Sequence, residues 1–97
     1  MLTEPQKKHL RSLAHPRKVI VQTGNAGLTD AVLREIELAL LHHELVKIRV
    51  VAGDRDERDA QIARAVAMTR CELVQRIGHV AILYRRNPEK PKPIELP

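Results

Sequence analysis

Residues 19–30 read VIVQTGNAGLTD, and this stretch decides the fold. Val19, Ile20 and Val21 are β-branched throughout and predict a short buried strand. The run Thr23, Gly24, Asn25, Ala26, Gly27 breaks it. Leu28-Thr29-Asp30 then opens a helix. Thr29 is its expected N-cap, with Leu28 and Leu33 at the N′ and N4 positions of a hydrophobic staple. Two glycines three apart let a backbone come close to a ligand. The helix N-terminus that follows offers unpaired N–H groups and partial positive charge, which suit phosphate. The spacing is neither a Walker A loop, which needs four residues between its glycines and then Lys-Ser/Thr, nor a dinucleotide fingerprint, which needs a third glycine. Glycines in such turns often serve only the turn, so the motif alone leaves both readings open.

Working outward, residues 3–14 predict a first helix. Thr3 is its N-cap, Gln6 its capping-box partner, and Leu10, Leu13 and Ala14 its apolar stripe. His15-Pro16 ends it, because the residue before proline avoids the α region. In the second helix Val32, Leu33, Ile36, Leu40 and Leu41 form the apolar face, with Arg34, Glu35 and Glu37 toward water. Residues 45–52 read LVKIRVVA, with Val46, Ile48 and Val50 alternating against Lys47 and Arg49, the period of a half-exposed strand. After Gly53, Asp54 and Glu57 cap a third helix with an expected core stripe of Ile62, Ala63, Val66 and Ala67. Strands at 72–77 and 80–85 flank Gly78-His79, a two-residue type II′ turn. The order is αβαβαββ, an α/β fold with a four-stranded mixed sheet packed with three helices.

The chain has 97 residues, enough for one domain with one modest core. Its net charge of +5 points to a polyanionic partner, nucleic acid first. The charge is uneven: residues 1–20 and 61–97 are each net +4, whereas residues 21–60 are net −3. Four of the six prolines fall in residues 87–97, which predicts an extended or disordered tail beyond a domain at 1–86. No apolar run is long enough to span a membrane, and no secretory signal is visible. One cysteine permits neither an internal disulfide nor a thiolate zinc site, so a reducing cytoplasm is the expected location. Tyr84 is the only aromatic residue, which argues against a base-stacking platform.

Several blocks in series now carry a resemblance. Leu13-Ala14-His15-Pro16, Val19-Ile20-Val21 and Gly24-Asn25-Ala26-Gly27-Leu28-Thr29 resemble the CRM domain, the chloroplast RNA splicing and ribosome maturation module. Glu35-Ile36-Glu37, His42-His43-Glu44-Leu45-Val46-Lys47, Ile77-Gly78-His79 and Leu83-Tyr84-Arg85 continue the likeness, which spans residues 2–86 and is closest to the stand-alone bacterial YhbY-like form. The resemblance implies a fold similar to the C-terminal domain of translation initiation factor three. It implies RNA binding through the GxxG loop with nearby basic residues, and association with ribosomal RNA in large-subunit precursors. Many members carry a basic residue where this chain has Asn25, which shifts weight to flanking cations.

The candidate RNA contacts are accordingly Gly24, Asn25, Ala26, Gly27 and Thr29 at the loop, Lys7, Lys8, Arg11, Arg17 and Lys18 before it, and Arg85 and Arg86 after the last strand. Solvated helix faces are the competing explanation for the lysines. Tyr84 alternates with Ile82 and Val80, so a place at the core edge competes with a stacking role. His42 and His43 are adjacent rather than i, i+4, and no other histidine has a carboxylate or cysteine at ligand spacing. The acids at 54–59 suit a helix cap better than a cation site. Cys71 fits a small buried thiol. The expectation is a monomeric, non-catalytic RNA-binding protein without cofactor or metal. The alternative is an adaptor that contacts a ribosomal protein through an apolar or acidic face, with the stretch 35–59 as its best support.

Overall fold

The structure, a computed structural model, describes all 97 residues. Its elements run α1 (Glu4–Ala14), β1 (Val19–Gln22), α2 (Asp30–His43), β2 (Leu45–Arg49), α3 (Arg55–Thr69), β3 (Glu72–Ile77) and β4 (Val80–Tyr84). This is the αβαβαββ order that the sequence predicts. One four-stranded sheet has the order β1-β2-β4-β3. β1 runs parallel to β2, and β4 is antiparallel to both β2 and β3. The sheet is therefore mixed, with β1 and β3 at its edges.

Local chemistry sets the helix ends. The Thr3 hydroxyl accepts from the Gln6 backbone and Gln6 returns the bond to Thr3, a complete capping box. The Thr29 and Asp54 side chains accept from the Val32 and Glu57 amides. Gly78 takes φ +57 while His79 stays at negative φ, which is the type II′ requirement.

The sheet buries both faces. Leu33, Ile36 and Leu40 of α2 and Ile62 and Ala65 of α3 pack on Val46, Ile48, Ala81 and Leu83. Leu10 and Ala14 of α1 pack on the opposite face, against Leu45, Val74, Ile82 and Tyr84. Tyr84 is thus a core residue, and burial pushes its phenol pKa up, with the Glu44 charge adding to the effect. Cys71 is buried as expected, and desolvation raises its thiol pKa.

Four details depart from the sequence reading. β1 is an edge strand in which only Val21 is buried, and Ile20 is 49% exposed. β-branching reports strand propensity; it does not report a strand's place in the sheet. On α3 the buried set is Ile62, Ala65 and Thr69, while Ala63 and Ala67 are exposed. Alanines fit either side of a helix, so they fix no face. Leu41 is exposed, and Glu37 is half-buried in an ion pair with Arg85 instead of facing water. Finally, residues 87–97 have no helix or strand, yet they fold back on the domain: Ile94 and Leu96 pack on the α1-side core, and the Pro97 carbonyl accepts from Gln6 Nε2.

Candidate nucleic-acid interface

β1 has two unlike ends. At its C-terminal end the buried Thr23 anchors the chain to the sheet: its amide donates to the Arg49 carbonyl at 3.0 Å, and its hydroxyl accepts from Val51 N at 2.9 Å. The next four residues close a turn, with Gly27 N donating to Gly24 O at 3.0 Å. Asn25 and Ala26 are its exposed tip. The two glycines do different work. Gly27 sits at φ +74, where an added Cβ would also lie 3.2 Å from Gln61 Nε2. Its freedom is spent on the turn itself. Gly24 has no such backbone demand, and open space surrounds the position of its missing Cβ. Thr29 caps α2 directly behind the turn.

The charge around this turn is not what the sequence suggests. The hollow beside it, about 350 Å³, is lined by Gly24, Asn25, Gly27, the 51–53 segment, Gln61 and Glu57, so its one charged side chain is acidic. One cation reaches the end of the loop, Arg64, whose Nη1 donates to the Leu28 carbonyl at 3.0 Å. It comes from α3, and only folding brings it to the loop.

The sequence-adjacent cations lie elsewhere. Arg17 and Lys18 precede β1, so the four strand residues alone, at ~3.3 Å each, hold them roughly 13 Å from the turn. There they line a groove of about 280 Å³ with His43 at the end of α2 and Lys47 of β2. Arg17 Nη1 donates to the Leu45 carbonyl at 2.7 Å and Lys47 Nζ to the His15 carbonyl at 3.1 Å. Lys47 also lines an adjoining hollow with Arg11 and His15. Arg11, Arg17 and Lys18 are therefore linked into one basic band through Lys47. Lys8 is exposed on α1, and Lys7 lies 3.9 Å from Glu4.

Arg85 is placed differently from the other candidates. Its guanidinium pairs with Glu37 of α2 and donates to the Thr69 carbonyl of α3 at 2.7 Å. The Arg85 hydrogen bond holds the Glu37 carboxyl below the usual carboxylate range, and Glu37 in turn raises Arg85. Arg85, just after β4, thus ties α2 and α3 together on one face of the sheet, and a phosphate would have to displace Glu37 to reach it. Arg86, one residue on, is exposed. No group of three or more His, Cys, Asp or Glu side chains could hold a metal ion, and no helix is long and apolar enough to cross a membrane.

The arrangement defines a small α/β domain with a glycine turn at one end of an edge strand and a basic groove at the other. Comparison with known proteins gives the class. The CRS1 / YhbY (CRM) domain model matches residues 2–85, and the chain belongs to this family. The chain is 44% identical over 96 residues to an RNA-binding protein of Haemophilus influenzae, covering 99% of this chain and 95% of that one. It is 42% identical over 91 residues to Probable RNA-binding protein PA4753 of Pseudomonas aeruginosa, covering 94% and 88%. The solution structure of SAV1595 from Staphylococcus aureus, a candidate RNA-binding protein, matches at 38% identity with a TM-score of 0.83 over 100% of both chains.

Proposed function

We propose that the protein binds RNA without catalysing a reaction on it, that its target is ribosomal RNA in large-subunit precursors, and that it assists ribosome assembly as a cytoplasmic monomer. The observation that carries the reading is the 24–27 turn. Its tip is exposed, and open space surrounds the position of the missing Gly24 Cβ, in a chain whose relatives carry the name RNA-binding protein. A sugar-phosphate backbone can approach such a turn closely, as in other domains that clamp RNA with a GxxG loop. Lys7, Lys8, Arg11, Arg17, Lys18 and Arg86 supply long-range attraction, and Thr29 places the α2 N-terminus behind the turn. Without exposed aromatic side chains, base selectivity is weak and the shape of the RNA selects the site.

A second reading, a protein-binding adaptor, has one specific support: a hollow of about 410 Å³ lined by Ile62, Ala63, Val66, Ala67 and Leu73. The acidic stretch 35–59 supports it less than the sequence implied, because Glu37 is paired with Arg85 and Glu44 is fully buried. Salt separates the two readings. Binding to transcripts of large-subunit ribosomal RNA should fall steeply between 50 and 200 mM salt, about tenfold or more for several phosphate contacts. Replacing Lys7, Lys8, Arg17 and Lys18 with Ala should flatten that slope. Gly24→Ala should weaken binding and leave the slope unchanged. Salt-insensitive binding, or none, would overturn the RNA reading.

A further inference from the structure

One buried carboxylate organises the C-terminal segment. Glu44 is fully buried at the end of α2, in the unusual conformation φ 60, ψ −41. Its Oε2 accepts from Asn87 N and its Oε1 from Ile94 N, both at 2.8 Å. The two oxygens of one side chain thus pin both feet of the proline-rich loop between residues 87 and 94. Within the loop, Asn87 makes a local turn: its side-chain oxygen accepts from Glu89 N and its carbonyl from Lys90 N, each at 3.1 Å. The loop so held delivers Lys90 into the groove of Arg17, Lys18, His43 and Lys47.

That groove carries unbalanced positive charge. No carboxylate lines it, and none of its four Lys and Arg side chains belongs to an ion pair. Arg17 and Lys47 use only neutral carbonyl acceptors, which fix their direction and leave their charge unbalanced. A helix C-terminus would ordinarily repel an anion here. Two of the last α2 carbonyls are already occupied, Leu40 O by Glu44 N and Leu41 O by Asn87 Nδ2. Four cations from three separate stretches of chain would repel one another without a counter-charge.

We propose that this groove is a second RNA-backbone site, distinct from the glycine turn, in which phosphates of the bound strand lie between Lys18, Lys47 and Lys90, and that the Glu44-pinned loop is its third wall. The proposal rests on the RNA reading above and goes beyond it in assigning the C-terminal segment to the interface. RNA would then touch both ends of β1, the turn by close approach and the groove by charge.

Lys90 and Lys92 make the test. They are two residues apart in the same loop and carry the same charge, and only Lys90 lines the groove. The full chain with Lys90→Ala or Lys92→Ala would be titrated with a large-subunit ribosomal RNA transcript across a salt series. We expect Lys90→Ala to weaken binding roughly threefold to tenfold and to lower the salt slope by about 0.7–0.9, as for one lost phosphate contact. Lys92→Ala should change affinity less than about twofold, the share of net charge alone. Glu44→Gln, which can accept at only one foot, should reproduce the Lys90→Ala loss and add nothing to it in the double variant. Equal, small losses in the two lysine variants would overturn the groove and leave the RNA reading standing. Failure of the unmodified chain to bind would overturn the RNA reading and the groove together.

Discussion

The two ends of β1 differ in kind, one shaped by glycines and the other lined by cations. The turn end is made of glycines, and its adjoining hollow carries one acid, Glu57. The leading end has no glycine and gathers cations from the α1–β1 connection, β2 and the C-terminal loop. Glycine permits approach and supplies no attraction; lysine and arginine attract from a distance but fix little geometry. An interface that needs both can place them apart, joined by a strand that holds their separation. On the RNA reading proposed above, Asn25 can stand at the tip because charge is supplied at the other end of the strand.

The largest effect should come from inverting the charged end. Lys18→Glu with Lys47→Glu changes the groove by four charges and should reduce RNA affinity by about 10²-fold or more at low salt, measured by equilibrium binding. An unchanged fold by amide spectra is the control, and a loss below about threefold would remove this end from the interface.

Next comes the contrast between the glycines. Gly27→Ala must hold an L-residue at φ +74 against Gln61, and should cost about 1–2 kcal/mol in urea unfolding. Gly24→Ala should lie within about 0.5 kcal/mol of the parent, because its Cβ enters open space. Any affinity lost by Gly24→Ala is then a measure of ligand approach. Equal stability losses at both positions would refute the assignment of different tasks.

Arg85 tests the boundary between interface and scaffold. Arg85→Ala should lower stability by about 1–2 kcal/mol, since it strips the Thr69 carbonyl and Glu37 of a charged donor at a partly solvated site. RNA affinity should change less than about twofold. The pair also sets a pH signature. Glu37 has a folded pKa below its ordinary value of 4.5, so its contribution is complete above that value and is lost as pH falls through the lowered folded pKa. The acid limb of a stability–pH curve should be flatter in Arg85→Ala. A curve unchanged from the parent would mean that the ion pair contributes nothing.

The smallest effect concerns Cys71. Burial raises its thiol pKa, and Thr69 Oγ1 lies 3.2 Å from its sulfur. Alkylation by iodoacetamide at pH 8 should be slower than in the urea-unfolded chain by at least about tenfold, and RNA should not change the rate. A native rate equal to the unfolded one would place the thiol at the surface.

Much of this was legible in one dimension. Capping is local chemistry: Thr3 with Gln6, Thr29, and Asp54 with Glu57 mark three helix starts within a few residues of sequence; Thr3, Thr29 and Asp54 all cap, while the Glu57 side chain does not return the bond that the expected Asp54–Glu57 capping box requires. The alternation around Lys47 and the Gly78-His79 turn set β2 and the final hairpin for the same reason. The glycine turn and the cationic segment 7–18 were also visible, since each is a short run of residue types.

Only the tertiary structure decided what lies beside what. Ile20 is as apolar as Ile36, and one lies at a sheet edge while the other is fully buried, because strand order depends on contacts tens of residues apart. Arg85 reads as a free cation until α2 brings Glu37 to it. The prolines at 88, 91 and 93 predict a segment without helix or strand, and they say nothing of Glu44, more than forty residues away, whose two oxygens hold it. Propensity, capping and turn chemistry act over a few bonds, so sequence determines them. Burial, ion pairing and the gathering of Lys18, Lys47 and Lys90 into one groove act through space, so only the packed chain does.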